Sequence, residues 1–267
     1  MKWNKGKNYR PRPSDMYFHG RLLKDLVVAK DAKVILELGV RSVKDDRRAT
    51  STYIFYRALE KLDVNHANAP LRALYSCDME VPSGDKKLLT RLKYSENPVW
   101  RFFHGDDREQ LLPIEEHLNR ENQKVDILLI DTDKNYELTK FELENYSKLL
   151  SESGIILMHD IGINWKWNDT TSSKYARKGY CPVSIEEFKG HDKATKEFMK
   201  SEGFKTKIQL GSYNIGILYR DISHLSGVEP NDLPYDNKRN AMSKWQWDKR
   251  RNDWNKEWGE YTDEENK

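Results

Sequence analysis

Cysteine is almost missing from this sequence: Cys77 and Cys181 are its two, and no CxxC pair occurs. That excludes a disulfide scaffold and a cysteine metal centre. Nowhere is there a run approaching the ~20 apolar residues that a transmembrane helix needs. The basic start of the chain has no apolar stretch behind it and so is unlike a secretory signal. A soluble, cytoplasmic protein without a membrane partner is expected. Excess charge of one sign is lacking too: 46 Lys and Arg against 43 Asp and Glu leave +3, too little to require nucleic acid. Local charge is less even, since residues 1–13 carry Lys2, Lys5, Lys7, Arg10 and Arg12 and one acid-free stretch around them. Internal repeats are absent. What remains is a chain of 267 residues, enough for one sizeable core with appendages, and an aromatic content of 11% that argues against wholesale disorder.

Between residues 30 and 220 short apolar runs alternate with amphipathic stretches. Strands are expected at Val34–Leu38, Ala73–Cys77, Val99–Phe103, Val125–Ile130 and Ile155–Met158. Helices are expected at 52–62, from Ser83-Gly84 through Leu92, at 107–119 with Pro113 disturbing its early part, and from Leu138 to Leu149. Ser153-Gly154 reads as the glycine stop of that last helix. A helix over 184–202 and two strands around Gly211-Ser212 complete the pattern. Strands separated by helices imply a parallel sheet covered on both faces. Residues 1–29 read as an N-terminal extension, 221–240 as linker, and 241–267 as a tail whose Trp247, Trp254 and Trp258 suit one helical face.

In an open parallel sheet, ligands bind beyond the carboxyl ends of the strands. Here every such end carries an acid. Glu37-Leu38-Gly39 ends the first strand, Asp78 the second and Gly105-Asp106-Asp107 the third. Asp131 and Asp133 follow the fourth, His159-Asp160 the fifth. Gly39 lets backbone pass close to a ligand. Asp78 can accept from a ribose diol, Glu37 from a cationic amino group, and an acid after the third strand from an adenine amino group.

Together, Val34-Ile-Leu-Glu-Leu-Gly-Val40, Leu74-Tyr-Ser-Cys-Asp78, Phe103-His-Gly-Asp-Asp107, Asp126-Ile-Leu-Leu-Ile-Asp-Thr-Asp-Lys-Asn-Tyr136 and Gly154-Ile-Ile-Leu-Met-His-Asp160 resemble the class I S-adenosylmethionine-dependent methyltransferases. The likeness is to their catechol-type and macrocin-type O-methyltransferase branch and covers roughly 30–220. It implies an α/β, Rossmann-like, doubly wound seven-stranded sheet, mostly parallel with an antiparallel last strand. It implies that Glu37, Gly39, Asp78, Asp106 and Asp107 line the pocket for S-adenosylmethionine. Asp131 and Asp160 would hold Mg²⁺ or another divalent cation, with His159, Asp133 and Asn164 as candidates for a third ligand, and Lys134 would be the base. Two departures stand out: Arg41-Ser-Val-Lys-Asp-Asp-Arg-Arg48 replaces the usual second glycine of the first loop, and Ile161 replaces an amide after the second metal aspartate.

The chemistry implied is O-methylation of a small-molecule hydroxyl on a sugar, polyketide or phenol. The cation would acidify and orient the acceptor, and Lys134 would take its proton. Asp133 reads more readily as a helix N-cap than as a ligand. Trp165, Trp167 and Tyr175 are candidates for the acceptor wall. The tryptophan tail suits packing or homo-oligomer contact, while its Lys249, Arg250 and Arg251 keep a nucleic-acid methyltransferase as a rival. A non-catalytic donor-binding partner protein is a further rival, raised by the altered first loop.

Overall fold

Strands rich in Val, Ile and Leu with no polar face must be buried on both sides, and the sheet obeys this. In a computed structural model, which describes residues 15–40, 51–63, 71–81, 86–161, 185–209 and 215–220, seven strands form one sheet. They are β1 Val34–Leu38, β2 Ala73–Asp78, β3 Val99–His104, β4 Val125–Ile130, β5 Leu150–His159, β6 Lys205–Gln209 and β7 Ile215–Tyr219. The order is β3-β2-β1-β4-β5-β7-β6. All pairings are parallel except those of β7, which runs antiparallel to both β5 and β6. The expected topology, antiparallel last strand included, is present.

The helices are α1 Asp15–Lys30, α2 Ser51–Asp63, α3 Lys86–Lys93, α4 Asp107–Arg120, α5 Tyr136–Tyr146 and α6 Ile185–Glu202. Alternate strand residues divide between two cores. Ile35, Leu74, Ile127, Leu129, Ile155 and Leu157 face α1, α2 and α3. Leu36, Leu38, Leu128, Ile130, Ile156 and Met158 face α4, α5 and α6. A one-residue slip of any central strand would exchange its two faces, but both are apolar, so register is held by polar clamps as well. Asp126 is one: its carboxylate accepts from Lys33 N (2.8 Å), Val34 N (3.2 Å) and Ser151 Oγ (2.9 Å), fastening the start of β1 to β4 and β5. Arg72 is another, donating to the carbonyl of Ala32 (2.6 Å) and to Asp31 Oδ1 (2.7 Å).

Several local expectations change. Gly154 does not end a helix. The chain leaves α5 at Tyr146, makes one 3-10 turn over Ser147–Leu149 and enters β5 at Leu150, so Gly154 lies within the strand. A Cβ there would come within 2.9 Å of Leu150 Cβ and of the Val125 carbonyl, where β4 and β5 pair irregularly. Pro113 sits inside α4 without ending it; the helix is capped by Asp106, whose side chain accepts from Arg108 N. The cap of α5 is Asn135, accepting from Leu138 N at 2.9 Å, not Asp133, which is exposed. Part of the segment read as an extension, 1–29, is helix α1, whose Leu22, Leu23, Leu26 and Val27 join the core with α2. The loop 41–48, Asn164, Trp165, Trp167, Tyr175 and the tryptophan tail lie outside the described residues. Among the described residues no helix is long and apolar enough to cross a membrane.

The Asp126 clamp lies at the amino end of the strands, opposite the acids. Asp126→Ala leaves two backbone N–H groups without their acceptor and is expected to cost about 1–3 kcal/mol. Denaturant unfolding checks this, and ligand binding at the far end of the sheet should be unaltered.

Candidate active site along the strand ends

The strand order reverses between β1 and β4, and that is where a parallel sheet opens a crevice at its carboxyl edge. Backbone pairing runs on past the strands: Gly105 N donates to Asp78 O (3.0 Å), Gly39 N to Cys77 O (2.9 Å) and Asp131 N to Leu38 O (2.8 Å). The acids expected from the sequence are therefore gathered along one rim. Gly39 makes the closest approach. Its φ is +85°, and a Cβ on it would meet the Asp131 carbonyl oxygen at 2.2 Å. Only glycine lets the end of β1 pass the end of β4.

Glu37 is fully buried in β1 beneath the start of α2. Its Oε1 accepts from Thr52 Oγ1 and from Ser76 Oγ (3.1 Å), while Oε2 is buried without a partner. Burial pushes the Glu37 carboxyl up to about 7, against the hydrogen bonds of Thr52, Ser51 and Ser76. Asp78 is half-buried, and backbone amides hold both its oxygens: Val40 N reaches Oδ2 (2.6 Å) and Glu80 N reaches Oδ1 (2.7 Å). Asp106 is bound by Arg108 through Nε (2.8 Å) and Nη2 (2.5 Å), which holds its carboxyl well below the usual range. Asp107 turns its Oδ2 into the interior towards α5.

The second half of the rim is a charge cluster. Asp131 Oδ1 accepts from Lys134 Nζ (3.0 Å) and contacts His159 Nδ1 (2.7 Å). Asp160 Oδ2 lies 3.3 Å from His159 Nδ1 and 3.9 Å from Lys134 Nζ. Lys134 is 4% exposed. Burial alone would lower Lys134, yet Asp131 and Asp160 hold it above its ordinary value. Burial would also lower His159, and the same carboxylates lift it to about 10. Burial would raise both acids, and His159 with Lys134 holds both down. Without a bound cation the cluster is two anions matched by two cations. Asp160 takes a left-handed φ of +63°, unusual for a residue with a side chain, and its Oδ1 is buried without a partner. One ligand atom each from Asp131, His159 and Asp160 lie within 4.8 Å of one another. Two carboxylates and an imidazole suit a hard divalent ion such as Mg²⁺ or Mn²⁺.

Two supporting residues, Glu142 and His191, escaped the sequence reading. Glu142, fully buried on α5, accepts from Thr132 Oγ1 (2.5 Å). His191 on α6 contacts Thr139 Oγ1 (2.8 Å) through Nδ1 and the His159 carbonyl (3.2 Å) through Nε2. Burial pushes His191 down to about 3, so it is neutral, with Nε2 donating and Nδ1 accepting. The signal was available: Thr139, Glu142 and Tyr146 fall on the buried stripe of α5, and a polar residue on such a stripe needs a partner.

Residues 50–161 match a family model described as a methyltransferase domain. The match covers less than half of the chain. No curated protein matches it. Among solved structures it is similar to an O-methyltransferase from Bacillus cereus in complex with SAH (14% identity, 79% of this chain and 83% of that one, TM-score 0.45). It is similar to a putative caffeoyl-CoA O-methyltransferase from Staphylococcus aureus (15%, 79% and 85%, 0.48). A third is the tomaymycin-synthesis O-methyltransferase of Streptomyces achromogenes in complex with SAM (15%, 75% and 79%, 0.44).

Glu37 ties stability to pH. Its folded pKa, about 7, stands above an unfolded carboxyl's, so the folded state holds a proton that the unfolded chain has released. The resulting cost is absent at acid pH, grows as pH rises from ~4.3, and is complete above 7, where it reaches about 3 kcal/mol. Glu37→Gln removes it. Thermal unfolding should show the variant gaining on the parent from acid to pH 8; parallel curves would refute the buried carboxyl's role.

Proposed function

We propose that the domain transfers the methyl group of S-adenosylmethionine to a hydroxyl oxygen of a small molecule, with a divalent cation held at Asp131, Asp160 and His159. The supporting observation is the Asp160 carboxylate: buried, left-handed, and with one oxygen lacking any partner beside a second carboxylate. Such strain and desolvation persist where a ligand repays them.

The donor would lie across the crevice. Asp78 would take the ribose hydroxyls, Glu37 and the close-packed Gly39 would face the methionine end, and the segment Gly105–Asp107 would face the adenine. A cation at the carboxylates would supply Lewis acidity to the acceptor hydroxyl. The remaining work falls to the chain's own groups. Lys134 is bound to both acids here; once those acids are engaged elsewhere, the field that keeps it protonated weakens and Nζ becomes able to accept the hydroxyl proton. The acceptor oxygen then forms its bond to the methyl carbon as the carbon–sulfur bond breaks, leaving S-adenosylhomocysteine. His191 keeps the carbonyl of His159 fixed from behind.

Two measurements test this. Calorimetry with MgCl₂ or MnCl₂ should show binding that releases protons, because His159 and Lys134 are protonated in the metal-free cluster. Apparent enthalpies should therefore differ between buffers of different ionisation heat, and affinity should rise with pH; no binding, or binding without proton release, defeats the metal site. Asp131→Ala should abolish that signal while the unfolding transition stays cooperative. Lys134→Met should lower turnover by ~10²–10⁴-fold with hydroxyl acceptors and labelled donor. Full turnover by Lys134→Met would remove the base.

A further inference from the structure

Glu142 lies outside the roles above, yet it is one of the most deeply buried acids of the fold, with 0% exposure. Its Oε1 is occupied by the Thr132 hydroxyl at 2.5 Å. The other oxygen, Oε2, has no ordinary donor, and neither has Asp107 Oδ2; both are buried. Tyr146, one turn beyond Glu142 on the buried stripe of α5, donates its hydroxyl to the Asp107 carbonyl at 2.5 Å, so the first turn of α4 lies against that stripe and the two carboxyls meet there. Two carboxylate oxygens are both acceptors, so such a contact closes only through a proton.

The geometry points to Glu142 as a positioning residue: a neutral carboxylic acid that donates to Asp107, accepts from Thr132, and thereby ties the donor segment Gly105–Asp107 to the loop carrying Asp131 and Lys134. The inference rests on the donor-site reading of that segment. Every neighbour fits a neutral Glu142. From α4, Asp106 is a second carboxylate touching Asp107. From β2, Cys77 is pushed up to about 12 by burial and the nearby carboxylates, so it brings no charge. From α5 itself, Tyr146 donates its hydroxyl to the Asp107 carbonyl at 2.5 Å and stays protonated. Lys134, from the loop after β4, is the cation facing Glu142, and it is committed to Asp131 at 3.0 Å. Burial and Asp107 together keep the Glu142 proton on.

Glutamine is the decisive replacement. Its amide can donate to Asp107 and accept from Thr132, but it has no proton to lose. The test has two arms on the full chain. In the first, thermal unfolding is followed across pH for the parent and Glu142→Gln. The folded parent holds a proton that the unfolded chain has released, so its stability falls as pH rises above ~4.3. The variant's advantage should grow over that range, and identical pH slopes would overturn the shared proton. In the second arm, S-adenosylhomocysteine is titrated calorimetrically. Glu142→Ala should weaken binding by roughly ten- to a hundredfold, the weight of a hydrogen bond to a charged group, and Glu142→Gln should restore it. Unchanged binding by the alanine variant, or a glutamine variant as weak as alanine, overturns the positioning role. If the parent itself binds no S-adenosylhomocysteine, the donor reading fails and takes the positioning role with it, while the unfolding arm still decides the proton.

Discussion

The constraint on which everything else depends is electrostatic. A parallel sheet delivers its strand ends side by side, and this chain places an acid at each. Bringing Glu37, Asp78, Asp107, Asp131 and Asp160 out of water onto one rim is unfavourable unless each is compensated. The compensation differs at every position. Hydroxyls and a proton serve Glu37, backbone amides serve Asp78, a guanidinium serves Asp106, and a neighbouring carboxylic acid serves Asp107. Lys134 and His159 serve Asp131 and Asp160. A rim made acidic merely for solubility would leave its carboxylates in water, where no such partners are needed.

The distribution of partners separates the rim into two kinds of site. At Asp78 the partners are backbone N–H groups, which are fixed by the fold and cannot leave. At Asp131 and Asp160 they are the end of a lysine and an imidazole, groups that can release a proton or swing away. The first arrangement suits a pocket that keeps its shape whether or not it is filled. The second balances the two carboxylates with side chains whose charge and position the fold does not fix.

Much of this was legible beforehand because it depends on local pattern. Apolar runs such as Val125–Ile130 admit few conformations in a small domain, and an acid directly after such a run must stand at the strand's end. The misreadings occurred where a local signal competes with tertiary packing. Ser153-Gly154 has the composition of a helix stop, but β4 offers Leu150 a pairing partner in Val125 and draws the strand's start back before the glycine. Asp133 and Asn135 are both good caps by residue type; which one caps is settled by where Leu138 N falls. Helix α1 escaped notice because the role of Leu22, Leu23, Leu26 and Val27 is set by packing against α2, a tertiary contact.

Helix α5 shows why the deepest part of the site was hardest to foresee. Its buried stripe carries Thr139, Glu142 and Tyr146 with Leu143, so most of the face that should be apolar is polar. Each polar group meets a different element. Thr139 meets His191 on α6, Glu142 meets Thr132 and Asp107, and Tyr146 meets the Asp107 carbonyl. Neighbours on a helix are set at 100° intervals, so rotating α5 by one residue would break all of these bonds together. The helix therefore has one permitted orientation, enforced by unsatisfied polar groups in any other. Through it, the position of the His159 carbonyl and the position of Asp107 at the end of β3 are fixed by the same rigid body. Hydrophobic packing alone, being non-directional, would not supply that common reference.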